Sequence, residues 1–318
     1  MDVLTTPPLP LADWLSVMER EYLSELVPAG GAAVKFAILD DAAIDTASDG
    51  LVLLGRAHGM IPVSIEAERT RVHMMQELFF AISRALPWDG LVQRYLEGLF
   101  GVHGYAWPRP GEALAMTDLA AGVGVAPNLL SHRVDQWLTT DVWEDRRLVQ
   151  DFRAALMSLC LSRLESEAGE TIGAVAQWLR GEKVAPALLR AADISARLSR
   201  TNARAMLVSL CHFLRKAGAA GLLVVLDLRR LAGTDAVDGL LRYSPAAVMD
   251  AYEVLRELID DAEHLPGLFV AVLAGAALAS GEPRRALAQY AALQMRVWPD
   301  VRPGDRQNPM APLVWLAP

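Results

Sequence analysis

Two stretches constrain this chain more than any others: GLLVVLD at 221–227 and GLFVAVLAG at 267–275. Each is a short, unbroken apolar run that opens at a glycine, and the first closes on a carboxylate. A strand with one wet face alternates apolar and polar residues, whereas a strand that is apolar throughout needs cover on both faces. Such strands belong in a parallel sheet sandwiched between helices. The remaining pattern agrees. AVKFAIL (33–39), MIPVSIE (60–66) and PLVWL (312–316) read as further strands. Helical spacing runs through 11–27, 41–57, 69–86, 89–101, 245–262 and 283–296. Between about 115 and 216 only helical patterns occur, including 144–165, 171–180 and 201–216. The expected fold class is therefore α/β, a parallel sheet flanked by helices with a large all-helical insertion. The expected segments are 1–103 (first half of the α/β core), 104–198 (insertion) and 199–318 (second half).

Composition narrows the function classes. No apolar run approaches the roughly 18–20 residues needed to cross a bilayer, so no membrane role is expected. The first residues, MDVLTTPPLPLADW, carry neither a basic start nor an apolar core, and a cytoplasmic location is expected. Cys160 and Cys211 read as two buried thiols. The six histidines show no paired ligand spacing and no serine sits in a Gly-x-Ser-x-Gly elbow, so neither a metal site nor a serine hydrolase is expected. A net charge of −8 argues against a nucleic-acid footprint spread over the whole surface.

A doubly wound sheet of this kind invites a phosphate-binding loop after its first strand: glycines to expose amides, a lysine for the terminal phosphates and a hydroxyl for magnesium. Strand 33–39 is followed instead by Asp40-Asp41-Ala42-Ala43-Ile44-Asp45. Carboxylates there repel a triphosphate and take up the helix N-terminus themselves. The only lysines are Lys35, Lys183 and Lys216, and none follows a glycine. Asp227 ends its apolar strand where a carboxylate can hold magnesium through water, or can simply cap the strand; the next residue is Leu228.

Several stretches in order resemble the ATP-binding proteins of BREX-type phage-defence systems, an AAA-like P-loop family. They are EYLSELVPAGGAAVKFAI (21–38), TRVHMMQELFFAI (70–82), WLRGEKV (178–184), SRTNARAMLVSLCHFLRKAGAAGLLVVLD (199–227), AYEVLRELIDDAEHLPGLFVAVLAG (251–275), RALAQYAAL (285–293) and RQNPMAPLVWL (306–316). The resemblance implies a P-loop-NTPase-like (AAA/ASCE-type) sheet, a setting in antiviral defence, and ATP with magnesium as the family's cofactors. This sequence departs from the pattern at the glycine-rich loop, at Leu228 in place of a glutamate, and at Ala276-Ala277 after Gly275. The expectation is a catalytically degenerate member, a structural or regulatory subunit, with Gly30, Gly31 and Asp227 as the remnant of a nucleotide site. Its expected partner is an intact homologous ATPase or another defence subunit, which Arg284, Arg285 or Arg296 would serve as an arginine finger.

Two alternatives stand beside it. Residues 117–134 resemble a helix-turn-helix, with Gly124 making the turn and Leu119, Val125 and Leu130 buried. A DNA-binding regulator would then use Asn128, Ser131, Arg133, Arg146 and Arg147, although Asp118, Asp135, Asp141, Glu144 and Asp145 favour a plain helical lid. The other alternative is an ATP-binding protein with an atypical phosphate loop drawing on Gly30, Gly31 and Lys35.

Overall fold

A computed structural model describes residues 7–108, 115–164, 170–233, 239–280, 284–298 and 306–318. The chain divides into two compact units, residues 1–82 with 219–318, and residues 83–218.

The first unit holds a six-stranded sheet in which every adjacent pair is parallel. Its strands are β1 Leu9–Pro10, β2 Ala33–Ile38, β3 Met60–Glu66, β4 Gly221–Asp227, β5 Leu268–Ala274 and β6 Leu313–Ala317, in the order β1-β6-β2-β5-β4-β3. The two apolar runs at 221–227 and 267–275 are the adjacent interior strands β4 and β5, and their side chains from Leu222 to Leu226 and Leu268 to Ala274 are all buried. One face carries Leu223, Val225, Phe269, Ala271 and Leu273 against α1 (Leu11–Val17), its wider-turned continuation Met18–Leu26, and α2 (Asp41–Ala57). Trp14, Met18, Leu23, Ile44 and Leu51 fill that layer. Each such side chain contributes roughly 1.5–3 kcal/mol by leaving water, which is why a sheet without a polar face is stable here. The other α/β helices are α3 (Met75–Ala85), which runs on into the second unit, and α11 (Pro245–Asp260), α12 (Ala277–Ser280) and α13 (Ala291–Val297).

Two helices of this unit are shorter than their sequence spacing predicts. The helix expected from residue 69 begins at Met75, because the Tyr243 hydroxyl donates to the carbonyls of Ala67 (2.8 Å) and Thr70 (2.5 Å) and accepts from the Val72 amide (3.2 Å). That bonding holds 67–74 as a loop. The helix expected over 283–296 is shorter, with a 3₁₀ turn at Leu287–Gln289 preceding α13.

Among the described residues the second unit holds only helices: α4 (Trp88–Val102), α5 (Met116–Val123), α6 (Pro127–Leu138), α7 (Gln150–Leu164), α8 (Glu170–Leu179), α9 (Pro186–Ala191) and α10 (Ala203–Lys216). It extends beyond 104–198 at both ends because α4 and α10 share its core. Phe213 of α10 stacks on Trp88 at 6.0 Å and meets Tyr95 and Phe152 at 5.9 and 6.2 Å. The expected helix over 144–165 starts at Gln150, since Asp145 accepts from the Arg147 amide (3.0 Å) and guanidinium and fixes a turn ahead of it.

Candidate functional site

In open parallel sheets the ligand crevice lies beyond the carboxyl ends of the strands, where the winding direction reverses. Here the chain leaves β2 for β3 at one edge, returns through β4 and β5 to the side of β2, and then crosses to β6 on its other side. The reversal is at β2, so the crevice is bounded by the Leu39–Asp41 segment, the first turn of α2, Asp227 and Gly275.

What fills that position is an arginine. Asp227 Oδ1 accepts from the Arg229 amide at 2.9 Å and its Oδ2 from Arg229 Nε at 2.7 Å. The same guanidinium donates to the Asp45 carboxylate on α2 and lies 3.4 Å from the Asp41 carbonyl. One side chain thus ties the end of β4 to the opening of α2. Its hydrogen bonds raise the Arg229 pKa and, with its charge, hold the Asp45 carboxyl below the ordinary value of 3.8. The Asp41 carboxylate lies against the strand end opposite: a Cβ placed on Gly275 would stand 2.5 Å from its Oδ1, so any side chain there would push that carboxylate aside. Further acids line the edge, paired outward as Glu66 with Arg69 (2.8 Å) and Glu68 with Arg230 (3.1 Å). Leu228 is buried and presents no charge.

Not all the expected site residues meet. Gly30 and Gly31 precede β2 and contact Gly267 ahead of β5, at the amino ends of the strands. Asp227 closes β4 at the carboxyl ends, and with every strand pointing the same way these lie about 20 Å apart. They do not form one remnant site. Lys35 is buried within β2, donating to the Met310 carbonyl at 2.6 Å and lying 4.6 Å from the centre of the Tyr22 ring, away from the crevice. Of the three arginines, Arg284 is exposed. Arg285 is buried, donating to the carbonyls of Tyr243 (2.8 Å) and Gly233 (3.2 Å). Arg296 is held by Asp260 at 2.5 and 2.9 Å.

The helix-turn-helix geometry is present as α5 and α6, joined through Gly124 at a φ of 71° that disfavours side chains. Leu119 and Leu130 are buried, whereas Val125 is only half-buried. Asn128 and Arg146 are exposed and Ser131 is half-buried, but Arg133 donates to the Tyr105 hydroxyl and Arg147 is bound by Asp145 at 2.8 Å. Asp145 also lies 3.2 Å from Lys216, which sits 2.9 Å from Asp141. Sequence reasoning missed Arg229 and the Lys216 pairs, since their partners lie 184 and 75 residues away; the Asp-Leu-Arg spacing at 227–229 was the one local signal for the former.

The parallel sheet, its reversal at β2 and the carboxylate ending β4 place the chain among α/β proteins of P-loop-NTPase-like fold. More closely, residues 124–318 match the family model of the BREX system ATP-binding protein BrxC/D, and the chain belongs to that family. No curated protein and no solved structure matches it. Among the described residues no helix is long and apolar enough to cross a membrane, and no group of three or more His, Cys, Asp or Glu could hold a metal ion.

Proposed function

We propose that this chain is a structural or regulatory subunit of a BREX assembly, one that does not turn over ATP itself. Support comes from a single observation, the Arg229 bridge between Asp227 and Asp45 across the crevice. The ATP and magnesium that the family's description implies need free amides and a mobile cation beside the opening of α2. Asp41 and Asp45 stand there instead, and the Arg229 guanidinium is held by two carboxylates. These residues do not fit a triphosphate: the charge repels it and the donors are engaged. An intact homologous ATPase is the fitting partner, with Arg284 the exposed arginine left to reach it.

Calorimetric titration of the purified chain with ATP and magnesium, alongside a phosphate-release assay, tests this. No binding heat and no turnover are expected. Magnesium-dependent hydrolysis that vanishes on Asp227→Ala would sink the reading.

A further inference from the structure

We propose that the exposed basic residues of 180–204 form a surface of the helical unit that binds the phosphate backbone of nucleic acid. The chain is acidic overall, at −8, yet this stretch carries Arg180, Lys183, Arg190, Arg197, Arg200 and Arg204 against only Glu182 and Asp193. Four arginines outside the stretch are held by carboxylates: Arg147 by Asp145, Arg229 by Asp227, Arg256 by Glu253 and Arg296 by Asp260. Lys183, Arg190, Arg197 and Arg200 are all exposed, and among the described residues none forms such a pair.

The backbone from Ser195 to Asn202, which carries Arg197 and Arg200, is fixed at both ends. Asn202 accepts from the Ser199 amide at 2.8 Å and donates to the Arg197 carbonyl at 3.0 Å, which closes the turn just before α10. Asp151 of α7 accepts from the amide and hydroxyl of Ser195 at 2.8 and 3.1 Å and anchors the segment's other end. Binding therefore orders side chains only, which lowers its entropic cost. Guanidinium groups pair with phosphate oxygens through two parallel hydrogen bonds.

The surface chemistry favours nucleic acid over a protein partner. A stable protein interface is built around apolar and aromatic anchors, and none of the large exposed hydrophobic side chains lies in 180–204. A surface of donors without an apolar centre matches a sequence-independent phosphate contact. It is also distinct from α6, whose Arg133 is already engaged.

The test is fluorescence anisotropy of the full chain with a labelled DNA duplex and, separately, a single-stranded RNA, between about 50 and 200 mM salt. Binding that weakens with salt is expected. The double variant Arg197→Ala with Arg200→Ala should lose roughly tenfold or more in affinity and reduce the salt slope by about two. Arg197→Lys with Arg200→Lys should keep most of the slope. Binding of either nucleic acid with this variant pattern supports the assignment and identifies the source of the phosphates. The proposal fails if neither binds at low salt, or if the double alanine variant binds with unchanged affinity and slope. It fails equally if Arg133→Ala with Arg146→Ala abolishes binding instead, or if the chain binds a polyglutamate peptide and no nucleic acid.

Discussion

Replacing Lys35 with methionine should stabilise the protein at neutral pH, and the gain should fade as the solution becomes alkaline. Lys35 lies in the middle of β2, opposite Ala271 of β5, with 7% of its surface exposed. Burial lowers its pKa from the ordinary 10.5 to about 8. Each pKa unit corresponds to about 1.4 kcal/mol, so keeping the ammonium charged in the folded state costs about 3 kcal/mol at pH 7. Methionine keeps the unbranched stem and removes the charge. It also gives up the hydrogen bond to the Met310 carbonyl, worth about 1 kcal/mol, leaving a net gain of about 2 kcal/mol. Below both pKa values folded and unfolded chains hold the same proton, so the penalty there is constant. Between about 8 and 10.5 the folded chain has released the proton while the unfolded chain retains it. Stability then rises with pH in the wild-type protein and not in the variant. Urea unfolding of both proteins in steps across this window should show the gap closing. A variant less stable at pH 7, or a difference that stays flat with pH, would refute the argument. The same variant tests the atypical-loop reading: any ATP affinity that depends on Lys35 would contradict its burial inside β2.

Arg229→Ala should destabilise the fold by about 1–3 kcal/mol in urea, between the exposed and buried limits for ion pairs, because the largely buried Asp227 loses its partner. Asp45→Ala, removing a carboxylate open to solvent, should lower the urea midpoint less than Arg229→Ala does, and an equal effect of the two would argue against a bridge centred on Asp227. Since Arg229 holds Asp45 below 3.8, that contribution is complete above this pH and disappears as the pH falls through the lower folded value. Acid titration followed by circular dichroism should therefore show Arg229→Ala unfolding at a higher pH than wild type. Cys160 and Cys211 are free and fully buried, and burial raises both thiols, Cys211 to about 12. A thiol-specific disulfide reagent at mildly alkaline pH should modify neither in the folded protein and both in urea; rapid labelling of the native chain would contradict the packing of α7 and α10.

Much of the architecture was legible because hydrophobic period is a local property. β3 and β4 fall at the residues read from the sequence, and β2, β5 and β6 within a residue or two, since branched apolar runs bounded by glycine, proline or aspartate have few other ways to leave water. The two-residue β1 was not legible: Leu9–Pro10 becomes a strand only because β6 lies beside it. The same applies to the late start of α3, which Tyr243 imposes from 176 residues away in sequence. Helices α4 and α10 look alike in sequence whether they cover a sheet or join a bundle, and the aromatic contacts around Phe213 decided the second.

The order of residues along the chain therefore settled the α/β class, the covered sheet, the acidic opening of α2 and the absence of a Gly-Lys pair, all of which depend on neighbours within a few positions. Folding alone decided that Gly30 and Asp227 stand at opposite strand ends, that Arg285 is buried, and that Arg229 spans the crevice. Those facts depend on which distant segments pair and in which direction, and an electrostatic bond between Asp45 and Arg229 leaves no periodic mark on either segment.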